Sequence, residues 1–333
     1  MDVTVIWAAV IALGVFMYVV LDGFDLGIGI VLTFFPERHD RDLMTNAVAP
    51  VRSGNETWLA VGGAALLVAL FALFPIGYPD RLCALYLPLA FMLACLVLRG
   101  IAIKNRAKTG RADPRRDRAL IGGSAGAAFF QGVALGTFLH GLRADGAVDA
   151  ASWLTPFSLL SGLGVVATYA LLGSCWLIAR TEGDLQRRLH RLVWPLTMLL
   201  LGFVVLVSVW TPLHEAATAS RWFDARIFLR LAPVPVLVLA CAYWMHRAVR
   251  ARRPGTPFHA ALSLVTLGYL GLLASLWPYA IARGQTLPEA AAPGSSSLFT
   301  LAAAAIMFAI LIAYTTFGYR VFRGKVCHGC THQ

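Results

Sequence analysis

Leu21-Asp22-Gly23-Phe24-Asp25-Leu26-Gly27-Ile28-Gly29-Ile30 sets two carboxylates inside a stretch, 5–34, that is otherwise almost wholly apolar. A helix needs about 20 apolar residues to cross the hydrocarbon core of a bilayer. This stretch has them, so its reading is a membrane helix with Asp22 and Asp25 within it. An ionised side chain at that depth costs roughly 2.5–3.5 kcal/mol on the insertion scale, so such a residue faces a protein interior and commonly has a task. Asp22 and Asp25 are three apart and share one helix face. A further acid, Glu56, opens the next apolar stretch in Gly54-Asn55-Glu56-Thr57-Trp58-Leu59.

Working outward, the same pattern repeats. Of 333 residues, 59% are hydrophobic and 14% charged, against about 25% charged in soluble domains. Nine apolar segments are long enough to span: 5–34, 57–77, 82–103, 119–139, 156–179, 193–212, 230–249, 260–281 and 298–319. The fold class expected is an all-α polytopic membrane protein, one integral-membrane domain over 1–333 with a tail from 320. The connections 35–56, 104–118, 180–192 and 247–259 are expected as loops. So is the Ala-, Pro- and Ser-rich stretch 288–297. Pro195 and Pro235 lie inside spans, where neighbouring helices can re-satisfy the freed backbone groups.

The net charge of +11 is distributed as topology, not as a nucleic-acid surface. One alternate set of loops, with the tail, holds 21 Lys and Arg; the other set holds six. The positive-inside rule then places the N-terminus outside and the C-terminus in the cytoplasm. No positive n-region precedes the first apolar segment, so that segment is expected to stay as a helix. Nucleic-acid binding is excluded as a reading.

With that orientation Asp25, Glu56 and Arg99 all approach the inner boundary. Asp25 lies about 13 Å deeper than the end of its segment. The functional reading is a polar cluster or proton path that opens to the cytoplasm. The structural alternative is an ion-pair network that fixes helix packing, or Glu56 at the positive end of a helix. Arg99 is expected to snorkel to the interface. Arg52, four residues before Glu56, is its expected partner. Gly23 and Gly27 have the small-xxx-small spacing of closely approaching helices. Phe24 and Trp58 are expected to pack.

The eight histidines, 39, 140, 190, 214, 246, 259, 328 and 332, lie in loops, at segment ends or in the tail. Haem b needs axial His or Met at the right depth, so a haem held within this chain alone is not expected. Cys83, Cys95, Cys175 and Cys241 fall in apolar runs and read as small hydrophobes. Cys327-His328-Gly329-Cys330 with His332 offers a weak zinc-like set, Cys327 and Cys330 being a lone pair of cysteines. A flexible reduced tail is the preferred reading.

These residues resemble a family, subunit II of the cytochrome bd quinol oxidases, and within it the shorter, cyanide-insensitive type. The likeness is carried by LDGFDLGIGI at 21–30, GNETWL at 54–59, LRG at 98–100, WLTPF at 153–157 and YALLGSCWLI at 169–178. It continues in TEGDLQRR at 181–188, SVWTPL at 208–213, SLWP at 275–278, LPEAAA at 287–292 and YRVFRGKV at 319–326. The resemblance implies nine helices as two four-helix bundles plus one peripheral helix. It implies an obligate partner, subunit I, that carries the b-type and d-type haems and oxidises quinol. The complex reduces O₂ to water with protons from the cytoplasm. Subunit II supports assembly, shapes access to the haem site and contributes to a proton route. A structural quinone and a small accessory single-helix subunit also occur in the family.

Asp25 then matches the intramembrane acid of the family's GFD motif, Asn55, Glu56 and Trp58 match its GNETW motif, and Arg99 matches the arginine ending its third helix. Two positions depart. Where the family reads Trp-Asp before Gly-Asn-Glu, this chain has Arg52-Ser53, and a hydroxyl relays but does not store a proton. Lys104 stands where the family has an acid. These departures motivate a second reading, a paralogue that assembles but turns over poorly. A third, from another class, is a proton-coupled secondary transporter using Asp25 and Glu56; broken helices and inverted repeats would mark it.

Overall fold

A computed structural model describes residues 3–57, 79–109, 114–141, 153–214, 233–277, 286 and 296–321. Among these are nine α-helices, numbered here in chain order. They are α1 (Val3–Val31), α2 (Arg38–Thr57), α3 (Pro79–Thr109), α4 (Pro114–Gly136), α5 (Pro156–Arg180), α6 (Gly183–His214), α7 (Pro233–Arg250), α8 (Thr256–Leu276) and α9 (Ser296–Val321). Six described helices are long and apolar enough to cross a membrane: α1, α3, α4, α5, α6 and α8. Eight of the nine expected spans fall on described helices; 57–77 lies outside the described residues apart from Thr57. Several helices overrun their spans. α3 continues to Thr109 and α6 begins at Gly183, because helical backbone stays satisfied by its own hydrogen bonds where the side chains become polar.

The expected loop at 35–56 is a helix, α2. Met44, Ala47 and Val48 fall at i, i+3 and i+4 and are all buried. That is one apolar stripe of an amphipathic helix, too charged to register as a span. Of 288–297, only Ser296 and Ser297 are described, and they begin α9. The tail beyond Val321, with Cys327 and Cys330, lies outside the described residues.

α1 and α5 form the centre. Every residue from Leu21 to Leu32 is buried, and so is every residue from Tyr169 to Ile178. The stretch that carries the two acids is thus enclosed by protein on all sides, whereas Val5–Val20 is only partly covered. Backbone meets backbone where these helices cross. A Cβ on Gly27 would land on the Tyr169 carbonyl, and one on Gly173 would land on the backbone of Gly27. Only glycine permits that approach. Gly23 faces the Tyr169 ring, 2.7 Å from where its Cβ would stand. Phe24 stacks on Trp176 with ring centroids 4.5 Å apart, and Phe258 at the start of α8 sets its edge to Trp176 at 5.4 Å.

Around this centre the chain runs as tight antiparallel hairpins: α3 with α4, α5 with α6, and α7 with α8. The starts of α4, α6 and α8 lie at the end of the molecule where α1 terminates, called here the arginine-rich end. Arg41 of α2 closes α1 there. Its Nε donates to the Phe35 carbonyl at 2.7 Å and its Nη1 to Asp117 of α4 at 2.8 Å. Arg188 of α6 pairs with Asp40 and Glu37 and lies over the Phe35 ring. The Gln186 amide donates to the carbonyls of Ile178 and Thr181, both at 2.9 Å, and so satisfies the end of α5. At mid-depth the Tyr269 hydroxyl of α8 donates to the Ala12 carbonyl of α1 at 2.7 Å.

Candidate functional site

About 9 Å inside the end of α1, by helical rise, Asp25 is 2% exposed. One of its oxygens, Oδ1, accepts from two arginines. Arg99 Nη2 of α3 lies at 2.7 Å and Arg52 Nη2 of α2 at 3.3 Å. Three helices therefore converge on one carboxylate. The distances rank the two contacts: Arg99 makes a short charge-assisted bond and Arg52 a looser one.

Arg99 does not snorkel. It is 5% exposed and turns inward, because a buried carboxylate at hydrogen-bond distance offers what a lone arginine finds only at the interface. Arg52 reaches an acid 27 residues earlier in the chain; the Glu56 side chain, its expected partner, lies outside the described residues. The side chains of Ser53, Asn55 and Glu56 lie outside the described residues, as does Trp58. The backbone of Glu56 is described, and it lies at the far end of a helix that begins at Arg38, not in the first turn of a new one.

Asp22, one turn further from the arginine-rich end, is 5% exposed. Its carboxylate lies within electrostatic reach of the hydroxyls of Tyr18, one turn beyond it, and Tyr169 of α5. The amide of Gln131 on α4 adjoins Tyr169. The polar set thus runs along one face of α1 from Tyr18 through Asp22 to Asp25, and ends on Arg99 and Arg52. Two guanidiniums, which never lose their charge, meet at the Asp25 carboxylate. Buried charge is tolerable in that arrangement and expensive without it. Sequence reading missed Tyr18, Gln131 and Tyr169. The available signal was that each interrupts an apolar run, though it could not say that they meet.

Lys104 is exposed on the last part of α3, away from this cluster. Four histidine side chains are described. His190 Nδ1 lies 2.8 Å from the Gln186 carbonyl, and His259 Nδ1 lies 2.9 Å from the Gly255 carbonyl. His246 packs on Trp194, and His39 is exposed. All four stand toward helix ends. Among the described residues no three His, Cys, Asp or Glu side chains are grouped to hold a metal.

Residues 3–322 match the family described as cytochrome bd terminal oxidase subunit II. The cytochrome bd ubiquinol oxidase subunit 2 of Bacillus subtilis (strain 168) is 27% identical over 340 aligned residues, 98% of this chain and 97% of that protein. The cytochrome bd-I ubiquinol oxidase subunit 2 of Escherichia coli (strain K12) is 31% identical over 217 residues, 62% of this chain and 56% of that one. In fold, a chain of the bd oxidase from Geobacillus thermodenitrificans superposes with a TM-score of 0.74 at 16% identity, covering 97% of this chain and 99% of its own.

Proposed function

The chain belongs to the cytochrome bd terminal oxidase subunit II family, and from that premise we propose that its Asp25 cluster is a station on the proton route of a quinol oxidase. The complex passes electrons from quinol to O₂. Subunit I holds the b-type and d-type haems and the reacting groups. This chain supports that partner and lends it a polar path through the membrane. Its arginine-rich end faces the cytoplasm and its N-terminus the periplasm, since the Lys and Arg of its loops divide 21 to six in that sense. The helices form two four-helix bundles and a peripheral helix, and a structural quinone or a small accessory subunit completes the assembly as in relatives. Transport of a separate solute has no support once the family is given.

The single observation that carries the reading is the enclosure of Asp25 between Arg99 and Arg52. An acid at that depth, which water does not reach directly, receives a proton through relay groups from the arginine-rich end and passes it along the face that holds Asp22 and Tyr18. Arg99 orients the carboxylate through its 2.7 Å bond. Arg52 occupies the position from which relatives present a Trp-Asp pair, and brings a cation where they bring an acid one residue later. Ser53 and Asn55 supply relay groups, and Glu56 an entry acid.

Oxygen uptake and haem spectra of the co-expressed complex test this. In Asp25→Asn, turnover should fall about tenfold or more while the haem spectra stay. Loss of all haem in that variant makes Asp25 an assembly residue instead. Arg52's contact gives the impaired-turnover reading its one specific support. That reading requires the unmutated pair to bind haem yet consume little O₂, and Arg52→Trp with Ser53→Asp to restore consumption.

A further inference from the structure

The turn between α7 and α8 carries four arginines, Arg247, Arg250, Arg252 and Arg253, within seven residues. No Asp or Glu occurs between Ala225 and Pro288, so neither α7 nor α8 can neutralise them. Among the described residues none of the four forms an ion pair. Two of them line a cavity of about 310 Å³ with Trp244, Ala248, Ala251 and Thr256. That volume is at the lower end of the ~300–1,000 Å³ typical of small-molecule sites.

All four arginines are exposed, but the backbone sets where two of them stand. The Arg252 N–H donates to the Val249 carbonyl and the Arg253 N–H to the Ala248 carbonyl, both at 3.2 Å. This closes α7 in the Schellman pattern. The pattern asks for a left-handed residue, usually glycine, and here Arg252 takes that conformation with φ 49°. The closure fixes Arg253 beside Arg247 at the cavity. α8 starts on the far wall. Its N-cap, Gly255, provides no side-chain bond to the first amides, so the positive end of the helix dipole also faces this region. The two guanidiniums and the start of α8 therefore favour an anion in the cavity.

The surface below it is apolar. Val236, Leu239 and Tyr243 lie 65%, 65% and 63% exposed, and with Arg247 they follow spacings of three, four and four along α7. One continuous stripe therefore leads from lipid-facing side chains to a guanidinium, with the half-exposed Trp244 at the junction, where membrane proteins place indoles. A free phosphate would use the arginines and leave the stripe without purpose. An anionic phospholipid uses both.

We propose that the α7–α8 turn is a binding site for an anionic phospholipid of the adjoining leaflet. Arg247 and Arg253 hold its phosphate in the bidentate manner of guanidinium, Trp244 walls the headgroup, and the Val236–Leu239–Tyr243 stripe carries an acyl chain. Basic pockets at the ends of membrane helices are suited to this ligand.

The purified two-subunit complex, stripped of lipid and titrated with phosphatidylglycerol or phosphatidylcholine, tests it by native mass spectrometry. The complex should retain phosphatidylglycerol at least tenfold more tightly than phosphatidylcholine. Arg247→Gln with Arg253→Gln should remove that preference, the double lysine variant should keep part of it, and Arg250→Gln with Arg252→Gln should keep most of it. Haem spectra report that each variant has assembled. The proposal is overturned by equal retention in the glutamine variant, or by equal loss in the Arg250/Arg252 control, which would mean diffuse charge. It is also overturned if millimolar inorganic phosphate displaces the lipid, or if the glutamine variant sheds the partner subunit with lipid binding unchanged.

Discussion

Two groups of arginines sit at the same end of this molecule and behave oppositely. Those of α2, α3 and α6 find carboxylates: Arg41 meets Asp117, Arg188 meets Asp40, and Arg99 and Arg52 share Asp25. Those of the α7–α8 turn find none among the described residues. The first group lies where several helices converge on the buried carboxylates Asp25, Asp40 and Asp117, so each buried anion needs a cation and the pairing fixes helix positions. The second group lies on a two-helix hairpin at the rim, where solvent or lipid can satisfy it. Charge of one sign thus does two jobs, and burial decides which.

Substitutions that remove one charge from each group sharpen this contrast. The largest effect is expected from Arg99→Leu. It breaks the shorter of the two bonds to a buried carboxylate and should cost about 3–5 kcal/mol, seen as a lower unfolding midpoint of the complex followed through its haem absorbance. An unchanged midpoint would mean that Asp25 is supported by something other than ion pairing. Arg41→Gln should follow at about 1–3 kcal/mol, since the Asp117 carboxylate, 6% exposed, loses the Arg41 guanidinium.

Arg52→Gln should cost less, about 1 kcal/mol, because its bond is longer and one guanidinium remains on Asp25. Combined with Arg99→Leu, its cost should exceed the sum of the two alone, as expected for groups that share one partner; simple additivity would show that the two arginines act separately. In the unmatched group, Arg252→Gly should raise stability slightly, by about 0.5 kcal/mol. A left-handed non-glycine residue costs roughly 1–2 kcal/mol, and glycine's own entropic cost offsets part of the gain. Arg250→Gln should change the midpoint by less than about 0.5 kcal/mol. A large loss there would abolish the distinction between the groups.

The acids themselves were legible early. Asp22 and Asp25 stand out because hydropathy is a local property, and an interruption of it needs no knowledge of neighbours. The family motifs were legible for the same reason. α2 was not, because its apolar stripe of Met44, Ala47 and Val48 is diluted by charge and falls below any membrane threshold. Arg99's inward turn was hidden too: an arginine one turn from a boundary reads the same whether it snorkels or pairs. The bond from Arg52 to Asp25 was hidden as well, because local spacing says nothing of an acid 27 residues off.

By itself, then, the amino-acid order determined the membrane-length helices, the alternation of charged connections and the presence of costly acids within the first helix. Each of these is a sum over neighbouring residues. The tertiary structure alone decided that Asp25 would be gripped from α2 and α3, that Gly27 would rest on Gly173, and which arginines would go unmatched. Those outcomes depend on the register at which helices distant in the chain pack, and register is set by the fit of whole surfaces rather than by any one stretch of residues.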